Sequence, residues 1–135
     1  MLKLDRERFH ERPCGNDGTS AVPSFLIDQN FNHDVLNGVL RLGTAFAFRT
    51  ALECGVDTLA DPELLAWAAE RGLVVITHDV RTLVPLARAR VADRLAMPGV
   101  LLIPQSAAVG VAIERLQIGL VCVSEEEWPN QVVFA

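Results

Sequence analysis

Leu73-Val74-Val75-Ile76-Thr77-His78-Asp79 is the stretch that decides the fold. Apolar and β-branched residues follow one another without alternation, as in a strand covered on both faces, and such strands belong to parallel sheets packed between helices. His78-Asp79 then falls at the carboxyl end of that strand. Just upstream, Asp61-Pro62-Glu63 reads as a helix start with Asp61 as N-cap, Pro62 at the first helical position and an acid in the first turn. Leu64, Leu65, Ala68 and Ala69 supply its apolar face, and Gly72 closes it. Helix followed by buried strand is half of a βαβ unit.

The same alternation extends in both directions. Phe25-Leu26-Ile27 is a short buried strand ending in Asp28, followed by Val35, Leu36, Val39, Leu40 and Leu42 at helical spacing, with Gly43 as the stop. A second strand runs through Ala45 to Phe48. After Asp79 comes an arginine-bearing helix from about Leu83 to Leu95, with Pro85 near its first turn. Val100 to Ile103 predicts a strand, Ala107 to Leu116 a helix, and Leu120 to Val123 and Gln131 to Phe134 two final strands, the last at an edge. The expected architecture is α/β: a three-layer α/β/α domain with a mainly parallel central sheet and right-handed crossovers.

The chain has 135 residues, 50% of them hydrophobic and 21% charged, which describes one globular domain rather than a disordered chain. Pro13 to Ser20 are turn formers without apolar periodicity, so residues 1–23 are expected to be a flexible leader and 24–135 the domain. No signal peptide is legible in Met1 to Glu11. The charge-free stretch from Leu95 to Ile113 is broken by Pro98, Gly99 and Pro104, so no transmembrane segment is expected. Three widely spaced cysteines, Cys14, Cys54 and Cys122, fit reduced thiols in a cytoplasmic protein. A net charge of -5 excludes indiscriminate coating of nucleic acid, which requires surplus Lys and Arg to neutralise phosphates. Any phosphate must be met locally, and Arg81, Arg88, Arg90 and Arg94 after Asp79 offer such a rim.

In open α/β sheets, ligands bind outside the carboxyl ends of the strands, where Asp28 and Asp79 both fall. Clustered carboxylates repel one another unless a cation lies between them, and a hard divalent ion takes oxygen ligands. Against this stands the plain reading that each Asp only caps a helix or turn, which Asp61 satisfies best. The histidines and cysteines have no zinc-ligand spacing, and no phosphate-binding glycine loop is present.

Phe25-Leu26-Ile27-Asp28-Gln29-Asn30, then Asp61 to Ala69, then Val75-Ile76-Thr77-His78-Asp79, then the strand after Pro98-Gly99 together resemble the small PIN-like family DUF5615, related to the C-terminal Mut7-C domain. The likeness spans roughly Ser24 to Pro104. It implies a PIN-like fold and a Mg2+- or Mn2+-dependent ribonuclease site. It also implies frequent pairing with a protein antitoxin. By this resemblance Asp28, Asp61 and Asp79 are the catalytic and metal-holding acids, with Asn30 and Thr77 as supporting residues. Glu63 is added as a supporting residue because it shares the first turn with Asp61, and Arg81 and Arg88 of the arginine rim are expected to meet RNA. Gln29 stands where the family often has Glu, and Arg81 where it has an acid, which leaves the fourth acid to Asp93 or Glu63.

Two other readings follow from the same residues. A PIN-like domain that has lost catalysis and binds a protein partner fits the missing fourth acid. A phosphoacceptor receiver domain also sets Asp at strand ends but needs a lysine near the site, and Lys3 is the only one. Trp67, Trp128 and Phe134, taken as exposed apolar residues, predict a homodimer or an antitoxin complex. Repulsion among the acids predicts that Asp79→Asn leaves the metal-free protein as stable or more stable.

Overall fold

The computed structural model describes residues 24–135. The expected leader, residues 1–23, lies outside them, as does Cys14. Five strands and four helices alternate: β1 (Ser24–Ile27), α1 (His33–Arg41), β2 (Ala47–Thr50), α2 (Asp61–Glu70), β3 (Leu73–Thr77), α3 (Val80–Ala92), β4 (Val100–Leu102), α4 (Val109–Cys122) and β5 (Val132–Phe134). The sheet has the order β2-β1-β3-β4-β5 and every pairing is parallel. All five residues of β3 are buried, as its unbroken apolar run requires.

Alternate side chains of each strand enter different layers. Phe25, Ile27, Val74, Ile76 and Leu101 pack with Val35, Leu36 and Val39 of α1 and Ala112 and Leu116 of α4. Leu26, Leu73, Val75, Val100 and Leu102 pack with Leu64, Leu65 and Ala68 of α2 and Leu83, Val84 and Ala87 of α3. The molecule is therefore a three-layer α/β/α sandwich, as its sequence pattern predicts. The helix pair α1/α4 approaches closely at Gly38, where a Cβ would lie 2.2 Å from Ile113 Cδ1.

Four expectations are corrected. Leu120 to Val123 is not a strand: α4 runs on to Cys122, because Ala112, Leu116 and Gly119 keep helical phase against the sheet and tertiary packing overrides the β-branched residues. Trp128 is not exposed. It is 2% accessible, meets Phe25 edge-to-face at 5.6 Å and lies over Gly99, whose φ of 142° and lack of a Cβ make room for it. Trp67 is half-buried beneath Arg71, whose guanidinium sits 4.2 Å from the ring centroid, so of the three only Phe134 is exposed. Cys54 is disulfide-bonded rather than reduced; Cys122 is free and exposed. Among the described residues, no helix is long and apolar enough to cross a membrane.

Candidate functional site

The strand order reverses beside β1: the chain leaves β1 for β2 on one side and returns to β3 on the other. The crevice at such a reversal, beyond the carboxyl ends of the two strands, is where doubly wound sheets bind ligands. Asp28 follows β1 and His78-Asp79 follows β3, so two of the expected acids stand at this point. The Asp28 amide donates to the Ile76 carbonyl at 3.0 Å, which carries the β1–β3 pairing one residue past the strand.

Thr77 links the two acids. Fully buried, its hydroxyl donates to Asp28 Oδ2 at 2.8 Å and accepts from the Asp79 amide at 3.0 Å. The Gln29 amide donates to Asp28 Oδ1 at 2.8 Å, so both carboxylate oxygens of Asp28 are held. Thr77 thus ties the Asp28 carboxylate to the Asp79 backbone.

Asp61 reaches the same place from α2, and its role differs from the N-cap that Asp-Pro-Glu predicts. The cap position belongs to Ala60, whose amide donates to Glu63 Oε1 at 3.2 Å; Asp61 is already helical. Glu63 is consequently a capping residue and not a member of the acidic cluster. With the helix end satisfied by Glu63, the Asp61 carboxylate is left to face Asp79. Asp79, by contrast, does cap its helix: Oδ1 accepts from the Thr82 amide at 3.1 Å.

Thr82 joins the two carboxylates. Its single hydroxyl makes short hydrogen-bond contacts with Asp61 Oδ2 and Asp79 Oδ2, and it has one proton to donate between them. The electrostatic result is a split pair. Burial, reinforced by the charges of Asp79 and Asp28, raises the Asp61 carboxyl above its ordinary range, although the Thr82 hydroxyl opposes this. The Thr82 hydroxyl and amide and the Arg81 amide hold Asp79 below its ordinary range. Sequence reasoning missed Thr82. Its signal is the Asp-x-x-Thr spacing from Asp79, in which the third helical residue faces its own cap.

Comparison with protein-family models, with curated proteins and with solved structures finds no match. The site's chemistry therefore rests on its own residues.

The other expected residues spread out. Asn30 is exposed on the turn after β1, two residues beyond Asp28. Arg81 is exposed in the first turn of α3 and Arg88 lies on the same side two turns further on, about 10 Å along the axis. Arg90 is engaged with the Ala96 carbonyl at 2.9 Å. Asp93, the C-cap of α3, is at the opposite end of the helix from Asp79, about 20 Å away, and is no substitute fourth acid. His78 is tied into the scaffold: Nδ1 lies 2.8 Å from the Ile103 carbonyl, Nε2 accepts from the Asn32 amide at 3.1 Å, and the ring stacks on Phe31 at 4.3 Å. These contacts make His78–Nδ1 the protonated nitrogen and pin three loops of the carboxyl edge together.

Among the described residues, no group of three His, Cys, Asp or Glu side chains stands arranged around a common point as metal ligands. The donors themselves fit a hard cation: Asp28, Asp61 and Asp79 supply carboxylate oxygens on one edge, and like charge crowds Asp61.

Proposed function

We propose that this chain is a PIN-like, metal-dependent endoribonuclease, acting at the crevice between the ends of β1 and β3. The observation that carries this reading is that Asp28, Asp61 and Asp79, from three separate elements, stand on one carboxyl edge, linked pairwise through Thr77 and Thr82 beside the reversal of strand order. Mg2+ or Mn2+ would be held by these three carboxylates, and would supply activation of water and relief of charge on the leaving oxygen. Thr77 fixes Asp28 relative to Asp79, and Thr82 fixes Asp79 relative to Asp61. Arg81, exposed one turn from the acids, meets the RNA backbone, and Arg88 extends that contact along α3. RNA as substrate implies a cytoplasmic chain, a location against which the disulfide at Cys54 stands, with an antitoxin protein and a second copy of the chain as the partners this reading implies.

Cleavage of single-stranded RNA in millimolar Mn2+, abolished by EDTA and by Asp28→Ala in a protein that still folds, is the expected result. RNA left intact under those conditions by wild-type protein free of any partner defeats the reading.

The seat of the Thr82 hydroxyl between Asp61 and Asp79 favours a second reading, a catalytically degenerate PIN-like domain that binds a protein partner. There the two threonines satisfy the acids permanently, and no Mn2+-dependent rise in melting temperature is expected. A receiver-type phosphoacceptor is disfavoured because no lysine occurs among the described residues.

A further inference from the structure

The two edges of the sheet are protected differently. The β2 edge carries Arg49, a charged residue buried within the strand, and inward charges are one of the devices by which proteins keep sheet edges from pairing. The β5 edge carries none: Gln131-Val132-Val133-Phe134-Ala135 has no charged side chain and no proline. Its main chain is half satisfied. The Gln131 carbonyl accepts from the Val100 amide and the Ala135 amide donates to the Leu102 carbonyl, both at 3.0 Å, so residues 131, 133 and 135 address β4. By strand alternation, the amides and carbonyls of Val132 and Phe134 point away from the sheet.

An apolar flank of α4 stands beside this edge. Arg115 Nη1 donates to the Ala135 carbonyl at 3.3 Å, which sets that side of the helix over the end of β5. Val111, Ile118 and Cys122 share the side by helical spacing, whereas Ile113 faces Gly38 of α1 and Gln117 bonds Thr44 in the loop that follows α1. On α4, Val111 is 42% accessible and Ile118 59%; Phe134, 56% accessible, shares the face of Leu102 on the other side of the sheet and adds an exposed apolar residue to the edge itself. Large apolar residues so exposed beside an unprotected strand edge mark a surface that is covered by something.

We propose that a second copy of this chain covers it, with β5 pairing antiparallel to β5 of its twin about a twofold axis at Val133. In that register Val132 of one copy and Phe134 of the other form a hydrogen-bonded pair, and the axis repeats it, so each outward amide and carbonyl finds a partner. The apolar flanks of the two α4 helices then approach across the axis. Charge selects the antiparallel sense. The acidic loop Glu125-Glu126-Glu127 precedes β5, while Arg115 stands at its far end; only antiparallel pairing brings the acidic loop of one copy to the end that carries Arg115 of the other. The assembly doubles the sheet and leaves the β1/β3 crevice open, since β3 and β4 separate that crevice from the interface. It rests on the strand edge, the α4 flank and the charges at the two ends of β5, and stands or falls independently of the metal site.

Sedimentation equilibrium of the full chain tests it. Wild type is expected to sediment at twice the chain mass. Ile118→Lys and Arg115→Glu are each expected to raise the dimer dissociation constant about tenfold or more. Val132→Pro removes an outward amide at a position where a strand edge tolerates proline, and is expected to act alike. Glu125→Arg/Glu126→Arg added to Arg115→Glu should restore much of the loss, because the two ends exchange sign. Circular dichroism checks that each variant folds; Ile118→Lys changes only a surface side chain and keeps the test valid if the proline variant does not fold. A wild-type monomer at all accessible concentrations, or a dimer indifferent to Ile118→Lys and Arg115→Glu, overturns the proposal.

Discussion

The helix starts at α2 and α3 present the same residue type to the same crevice and use it in opposite ways. At α2 the end is closed by Glu63 reaching back to the Ala60 amide, so Asp61 has no capping task. At α3 the end is closed by Asp79 itself. Two aspartates that share one threonine hydroxyl therefore differ in what holds them: Asp79 by three donors that favour its charge, Asp61 by a half-buried position that disfavours it. An acidic cluster is thus a set of unequal members. The member with a structural duty is the one whose removal costs stability, and the member without one is the better gauge of ligand chemistry.

The largest expected effect would erase this contrast. If both acids hold a cation, Asp61→Ala and Asp79→Ala should each lower RNA cleavage by on the order of a hundredfold or more. Loss in only one variant would confine the chemistry to that residue. A second variant strikes the link between the acids: Thr77→Val leaves the Asp79 amide without its acceptor in a fully buried setting, and denaturant melts should show about 1–3 kcal/mol of destabilisation.

Smaller effects sharpen the comparison. Asp79→Ala removes the α3 cap and is expected to cost about 1 kcal/mol. Asp61→Asn keeps an acceptor for Thr82 and removes a disfavoured charge, so thermal melts at neutral pH should show equal or higher stability, by about 0.5 kcal/mol or less. The relief of repulsion expected for Asp79→Asn therefore belongs to Asp61 instead. Titration should separate the two residues again. Asp61, raised in the folded chain, favours folding below the ordinary carboxylate value of 3.8, and that contribution is lost as pH rises through its folded value. Asp79, lowered in the folded chain, stabilises above 3.8 and loses its contribution as pH falls through its folded value. Melts of Asp61→Asn from pH 3 to pH 6 should accordingly lack the decline with rising pH that Asp61 adds to wild type; superimposable profiles would remove the distinction.

The layered fold was legible because β1, β3 and β4 are short apolar runs with polar ends, a pattern that few structures other than a covered parallel sheet satisfy. Asp28, Thr77 and Asp79 were legible with it, being the residues that strand ends deliver to one edge. Asp61 came to the right place for a different reason from the one its Asp-Pro-Glu context predicts, since a Glu two residues later can take over the cap. Thr82 was not legible as a site residue because a hydroxyl in a helix's first turn looks the same whether it caps locally or reaches a second element. The end of α4 was misjudged for a related reason: Leu120 to Val123 has strand-like composition, and only the packing of Leu116 and Gly119 on the sheet shows that the helical phase continues.

Trp128, enclosed by Phe25 and Gly99, has no hydrogen-bond partner for its indole nitrogen among the described residues, whereas Trp67 lies half-wet under a guanidinium in the opposite layer. The chain has these two tryptophans and no tyrosine, so its near-ultraviolet emission comes from one fluorophore in each helical layer. The enclosed ring emits toward the blue and the half-wet one toward the red. Trp67→Phe and Trp128→Phe therefore turn the protein into two single-colour reporters, through which the layer bearing Asp61 and Asp79 and the layer bearing the α4 flank can be watched separately as the chain unfolds.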